Sequence, residues 1–352
     1  MPSSPVARHA RRALAILGAT ATVAALAGCA SSTGAAERDG VQVVATTTQV
    51  ADLAREVAGE SAEVTGLLQP GQSAHSFDPS AAQLLALASA DALVINGAGL
   101  ESWIDDAVAA SGFDGVLVDS STGIVLESTD DDHGHDHDEV HADAEAAGDD
   151  RTGGEDDHGH AEGNPHIWTD PALAERMVAT IAAGLADVPG IDAPAIEANA
   201  AAYTAELEAL DAWIDENVDR VPVEDRLLVT NHDAFTYFIH AYDLTFVGSV
   251  IPSFDDNAEP SAAEIDDLVA AIRETGVRAV FSEASISPKA AETIAEESGV
   301  AVYSGEDALY GDSLGQPGSE GETYLGSQVH NVRLILESWG IEPSPLPAAL
   351  EG

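Results

Sequence analysis

The pattern that most restricts the fold is an alternation, made twice, of short apolar runs with segments of helical period. Residues 41–46 (Val-Gln-Val-Val-Ala-Thr), 64–68, 92–95 and 115–118 read as strands of a buried parallel sheet, with helical patterns at 48–58, 81–89 and 100–110 between them. A second series repeats the arrangement, with strands at 227–230, 244–250, 279–281 and 300–303 and helices at 234–241, 262–274 and 288–298. Strands alternating with helices imply β/α units, so the expected class is α/β, two β/α domains with parallel sheets. Between the series Ile196, Tyr203, Leu207, Leu210, Ile214 and Val218 recur at helical spacing, with Pro194 near the start and Pro222 past the end. One helix of roughly 25 residues, on the order of 40 Å long, is expected to join the halves as a rigid connector.

The expected parsing is a leader at 1–28, a tether at 29–40, an N-terminal domain at 41–190, the connecting helix at 191–221 and a C-terminal domain at 222–352. Arg8, Arg11 and Arg12 precede an apolar, alanine-rich run too short for a comfortable membrane span, which marks a signal peptide. It ends in Leu26-Ala27-Gly28-Cys29, which resembles the lipobox of bacterial lipoproteins. Cys29, the chain's one cysteine, is the expected lipidation site, and no intramolecular disulfide can form.

With 62 acidic and 13 basic side chains, the net charge of -49 repels nucleic acid and anionic lipid and gathers cations. The N-terminal domain is interrupted at 127–163 by a segment with fifteen Asp or Glu, one basic residue and six histidines, His133, His135, His137, His141, His158 and His160. It reads as a solvated loop whose imidazoles are accessory, low-affinity metal ligands.

Three other histidines share a setting. His75 in Gln72-Ser73-Ala74-His75-Ser76-Phe77-Asp78-Pro79 and His232 in Thr230-Asn231-His232-Asp233 follow expected strands, where open parallel sheets present ligand sites, and His166 lies in Asn164-Pro165-His166-Ile167-Trp168. Asp312, in Leu309-Tyr310-Gly311-Asp312-Ser313, lies beyond the last expected strand. Three imidazoles and one carboxylate suit tetrahedral zinc and leave no position for an activated water. Three imidazoles that titrate near 6.5 make binding compete with up to three protons.

These four segments resemble the ligand motifs of substrate-binding proteins from zinc and manganese ABC importers, the group called cluster A-I, over residues 41–340. The resemblance implies a metal between two β/α domains, held by His75, His166, His232 and Asp312, and delivery to the importer's membrane permease. Zinc members resemble this chain in carrying histidine at the third position, where manganese members typically carry glutamate, so Zn2+ is the expected cargo and Mn2+ the alternative. The chain departs from the pattern at Ala74, where the family usually has proline, and in lacking the cysteine pair of some zinc members. The expected protein is a monomer, lipid-anchored to the outer face of the bacterial cytoplasmic membrane, with no nucleic-acid partner. Rival readings are an iron-binding protein of the same class, an adhesin with a structural metal, and a zinc hydrolase with Glu283 as general base. Glu283 is otherwise expected to support a ligand from behind.

Overall fold

The computed structural model describes residues 40–127 and 163–350. The expected signal peptide, Cys29 and the six histidines of the acidic segment lie outside the described residues. The first half contains β1 (Val41–Ala45), α1 (Thr48–Ala58), β2 (Ala62–Gly66), α2 (Ala81–Leu87), β3 (Ala92–Ile95), α3 (Ile104–Ser111), β4 (Val116–Asp119) and α4 (Pro171–Ala186). Its strands form one parallel sheet in the order β2-β1-β3-β4. The central strands carry the continuous apolar runs: Val43, Val44 and Ala45 of β1 and all of β3 are buried. Edge strand β2 alternates between half-buried and exposed positions instead. Helix α1 packs on this sheet and against α4, and α4 approaches β4 closely because Gly184 has no side chain. A Cβ there would lie 2.5 Å from a Val118 methyl.

The chain continues as α5 (Ala193–Val218), 26 residues long, opened by an Asp192 cap and Pro194. At 1.5 Å per residue it spans about 39 Å. Beyond it come β5 (Leu227–His232), α6 (Thr236–Ala241), β6 (Thr245–Ile251), α7 (Ala262–Thr275), β7 (Ala279–Phe281), α8 (Lys289–Ser298), β8 (Ala301–Tyr303) and α9 (Tyr324–Trp339). Strands β5 and β6 pair in parallel, as do β7 and β8, and β5 lies beside β7. Helix α5 packs on α1 and α4 of the first half and on α9 of the second, burying Ile196, Tyr203, Leu207, Leu210, Trp213 and Ile214. The main apolar core runs through both halves along this helix, and a smaller one lies among β5, β6, α7, β7 and α8.

The expected strands and helices are all present with ends shifted by a few residues. Strand β5 runs on to His232 because His232 stays in register with Ile251 of β6, although Asn231 and His232 carry no strand signal of their own. Two helices, α4 and α9, have no counterpart in the pattern reading. Helix α4 does carry a usable signal, with Ala174, Met177, Val178, Ile181 and Leu185 at helical spacing and all buried.

Candidate metal centre

His75 lies in the loop between β2 and α2, whose shape is held by Trp103 Nε1 donating to Ala74 O at 2.8 Å. His166 precedes a single turn of 3-10 helix at Ile167–Thr169, His232 ends β5, and Asp312 lies in the loop between β8 and α9. The fold brings these four together so that one donor atom from each lies within 4.8 Å of every other. His166, His232 and Asp312 are buried, and the His75 side chain is 10% exposed, forming the solvent side of the cluster.

All three imidazoles aim Nε2 at a common centre. His166 Nε2 is 3.3 Å from that of His75 and 3.2 Å from that of His232. Asp312 Oδ1 lies 3.0 Å from His166 Nε2, while Oδ2 lies 3.2 Å from His75 and 3.3 Å from His232. A tetrahedral ion with bonds of about 2.0–2.1 Å needs donor separations of about 3.3–3.4 Å, close to those found. Neither carboxylate oxygen of Asp312 accepts a conventional hydrogen bond, although both are buried. A buried carboxylate facing three imidazole nitrogens is satisfied by a cation, so the donor set fits a divalent metal ion as cargo.

Groups behind the ring fix its tautomers. His166 Nδ1 lies 2.6 Å from Asn164 Oδ1, which also accepts the His166 backbone N–H at 3.0 Å. Asn164 Nδ2 donates to Asp233 O and Thr236 Oγ1, both at 2.8 Å, tying this histidine to the second half. His232 Nδ1 lies 2.6 Å from Glu283 Oε1, which also accepts the His232 backbone N–H at 3.0 Å. An Nδ1–H given to an oxygen leaves the Nε2 lone pair facing the centre. Pro165 O, next to His166, accepts from Asn96 Nδ2 at 3.0 Å, and Asn96 N donates to the buried Glu101 carboxylate at 2.7 Å.

Charge divides the histidines. Burial pulls the His166 pKa down to about 4 despite Asp312 beside it. Burial acts the same way on His232, but the Glu283 and Asp312 carboxylates outweigh it and hold His232 well above the usual range. His75 is also raised, burial being outweighed by its contact with Asp312. Burial disfavours the charged form of Asp312, yet His232 and His166 hold it well below the ordinary carboxylate range.

Asn164 is the site residue that motif reading quotes without assigning a role. Its signal is an Asn two residues before a histidine, a spacing at which the amide can turn back onto the following backbone. Replacing Asn164 with alanine should weaken metal binding roughly 10- to 100-fold without unfolding the protein, read by competition with a chelator of known affinity.

Residues 43–338 match the family described as zinc-uptake complex component A, periplasmic (ZnuA). The chain belongs to this family. It is a metal-binding substrate protein of ABC importers, works outside the cytoplasm and is not an enzyme, which removes the hydrolase reading. A manganese-binding lipoprotein, MntA of Halalkalibacterium halodurans, is 30% identical over 310 residues, covering 87% of this chain and 91% of the relative. An iron-binding protein, YfeA of Yersinia pestis, is 28% identical over 305 residues, covering 85% and 86%. The solved periplasmic zinc-binding protein TroA of Treponema pallidum shares the fold, with a TM-score of 0.71 and 24% identity over 86% of this chain and 99% of its own.

Proposed function

We infer that the protein captures zinc outside the cytoplasm through His75, His166, His232 and Asp312 and passes it to the permease of an ABC importer. The observation that carries this is the donor set, three Nε2 atoms and one carboxylate at close to tetrahedral separations. Imidazole-rich sets bind zinc more tightly than manganese, as the Irving–Williams order requires. Glu283 and Asn164 support two of the ligands from behind. The chain lacking residues 1–28 should therefore bind one zinc tightly and manganese much more weakly in a chelator-buffered competition, and equal or tighter manganese binding overturns the assignment.

One feature favours a harder ion such as manganese or iron. Asp312 turns both oxygens toward the imidazoles, which offers a fifth donor to a metal of higher coordination number. The same competition decides between the readings.

No helix among the described residues is long and apolar enough to cross a membrane. We place the anchor at Cys29, with lipid on the outer face of the cytoplasmic membrane. Cys29→Ser should move the protein from the membrane to the soluble extracytoplasmic fraction. Persistence in membranes of cells without the permease would contradict the lipid anchor.

A further inference from the structure

Asp312 is the cage residue whose side chain lacks a supporting donor, since neither of its oxygens accepts a hydrogen bond. Its place depends on how the backbone on either side is held, and that backbone is gripped from the first half. On one side, Gly311 O accepts from Gln49 Nε2 at 2.8 Å and from Trp168 Nε1 at 3.1 Å. On the other, Leu314 N donates to Thr48 Oγ1 at 2.9 Å, and Gly71 N donates to Ser313 Oγ at 2.7 Å.

Thr48 and Gln49 are themselves linked, because Thr48 Oγ1 donates to Gln49 Oε1 at 2.9 Å. This fixes the Gln49 amide, whose oxygen is taken by Thr48 and whose nitrogen is turned to Gly311. A directional chain therefore runs from Leu314 N–H through the Thr48 hydroxyl and the Gln49 amide to Gly311 O, enclosing Asp312 between its ends. Thr48, Gln49 and Trp168 are buried, so water does not readily replace these bonds. A steric restraint acts from the other side, since a Cβ on Gly311 would lie 1.9 Å from Glu283 Oε2. The backbone before Asp312 is thus pressed between the first half and the carboxylate that supports His232.

We propose that Gln49 is a positioning residue for metal retention: the bracket it forms with Thr48 keeps Asp312 in the cage, and its opening is the step by which the fourth donor leaves and the ion is released. The proposal rests on the reading of the cage as a metal-capture site. Trp168 shares the Gly311 carbonyl and limits how far the loop moves when the bracket opens.

The test compares Gln49→Glu with the unaltered protein, alone and combined with Asp312→Asn. Glutamate keeps the shape of glutamine but replaces the donor facing Gly311 O with an acceptor. Zinc transfer to a chromogenic chelator should become roughly 10- to 100-fold faster in Gln49→Glu. The visible absorption of the cobalt(II)-loaded protein should also lose the intensity typical of four-coordinate geometry. In the Asp312→Asn background the same substitution should add less than about threefold, because the two act through one interaction. Unchanged release in Gln49→Glu, or the same acceleration in both backgrounds, overturns the proposal. If Asp312→Asn alone leaves zinc release and the cobalt spectrum unchanged, the metal reading of the cage fails instead. Thr48→Val removes the central hydroxyl with little change of shape and supplies the same comparison if Gln49→Glu does not fold. Unchanged release in Thr48→Val then counts equally against the proposal.

Discussion

Replacing His232 with alanine should weaken metal binding by more than about 100-fold, beyond the range seen for groups that only support a ligand. The substitution removes a donor from a cage that the fold has already assembled, and the remaining imidazoles cannot fill the gap because Asn164 fixes one and the β2–α2 loop carries the other. It also leaves Glu283 buried with one backbone N–H as its partner. Loss of a partner from a buried charged pair costs about 3 kcal/mol, so chelator-treated His232→Ala should unfold at lower denaturant concentration than the metal-free parent. Deleting residues 130–160 should leave the tight site in place, since all four donors and their supports lie outside that segment. Loss of tight binding in the deletion, or retention of it in His232→Ala, would require a different set of ligands.

The second large effect is expected in acid. Metal binding needs neutral imidazoles, so each histidine protonated in the metal-free protein adds one proton to the exchange and a tenfold loss of affinity per pH unit. His232 and His75 are raised by their carboxylate neighbours and are the groups that hold protons as pH falls. His166 is held neutral by burial down to about 4. The sign is therefore fixed. Affinity is highest above the pKa values of His232 and His75 and falls below them, with a slope approaching two decades per pH unit. A third decade appears only near pH 4. Three unperturbed histidines would instead give a slope of three starting near 6.5. Zinc affinity measured in chelator buffers across this range distinguishes the two, and a flat profile would mean that carboxylates dominate the site.

Sequence pattern revealed the elements whose side chains do one job. The strands that bury both faces read as continuous apolar runs and the amphipathic helices have a clear period, and the three histidines stand out as a set, beside expected strands or in loops, rather than singly. Helix α9 was hidden because its buried face includes Ser327, Gln328, His330 and Asn331 among the apolar residues. These polar side chains are in use. Asn331 bonds both the N–H and the carbonyl of Tyr310, and His330 Nε2 reaches Ala308 O at 3.0 Å, so α9 holds the chain leading to Asp312. The apolar period is broken where the helix serves the site. Gln49 and Thr48 escaped notice for a related reason, since their roles arise from contacts made across the halves. Sequence alone assigns the three histidines one ordinary value, whereas unequal burial and neighbouring charge separate them in the fold.

Helix α5 bears on how a permease could recognise a loaded protein. A rod of 26 residues, packed on α1 and α4 at one side and α9 at the other, resists bending, so filling and emptying the cage should leave the particle's outer dimensions nearly unchanged. X-ray scattering curves of the two forms should almost superimpose. The message that cargo is aboard then has to be written in fine print at the mouth of the cage. There His75 is the one partly exposed donor, and Ser73 Oγ reaches Asp256 Oδ1 at 2.8 Å while Ser76 Oγ reaches Asn257 Oδ1 at 3.3 Å. A receptor reading so small a label needs close, complementary contact with that rim, and a coarse fit to the outline of the molecule would tell it nothing.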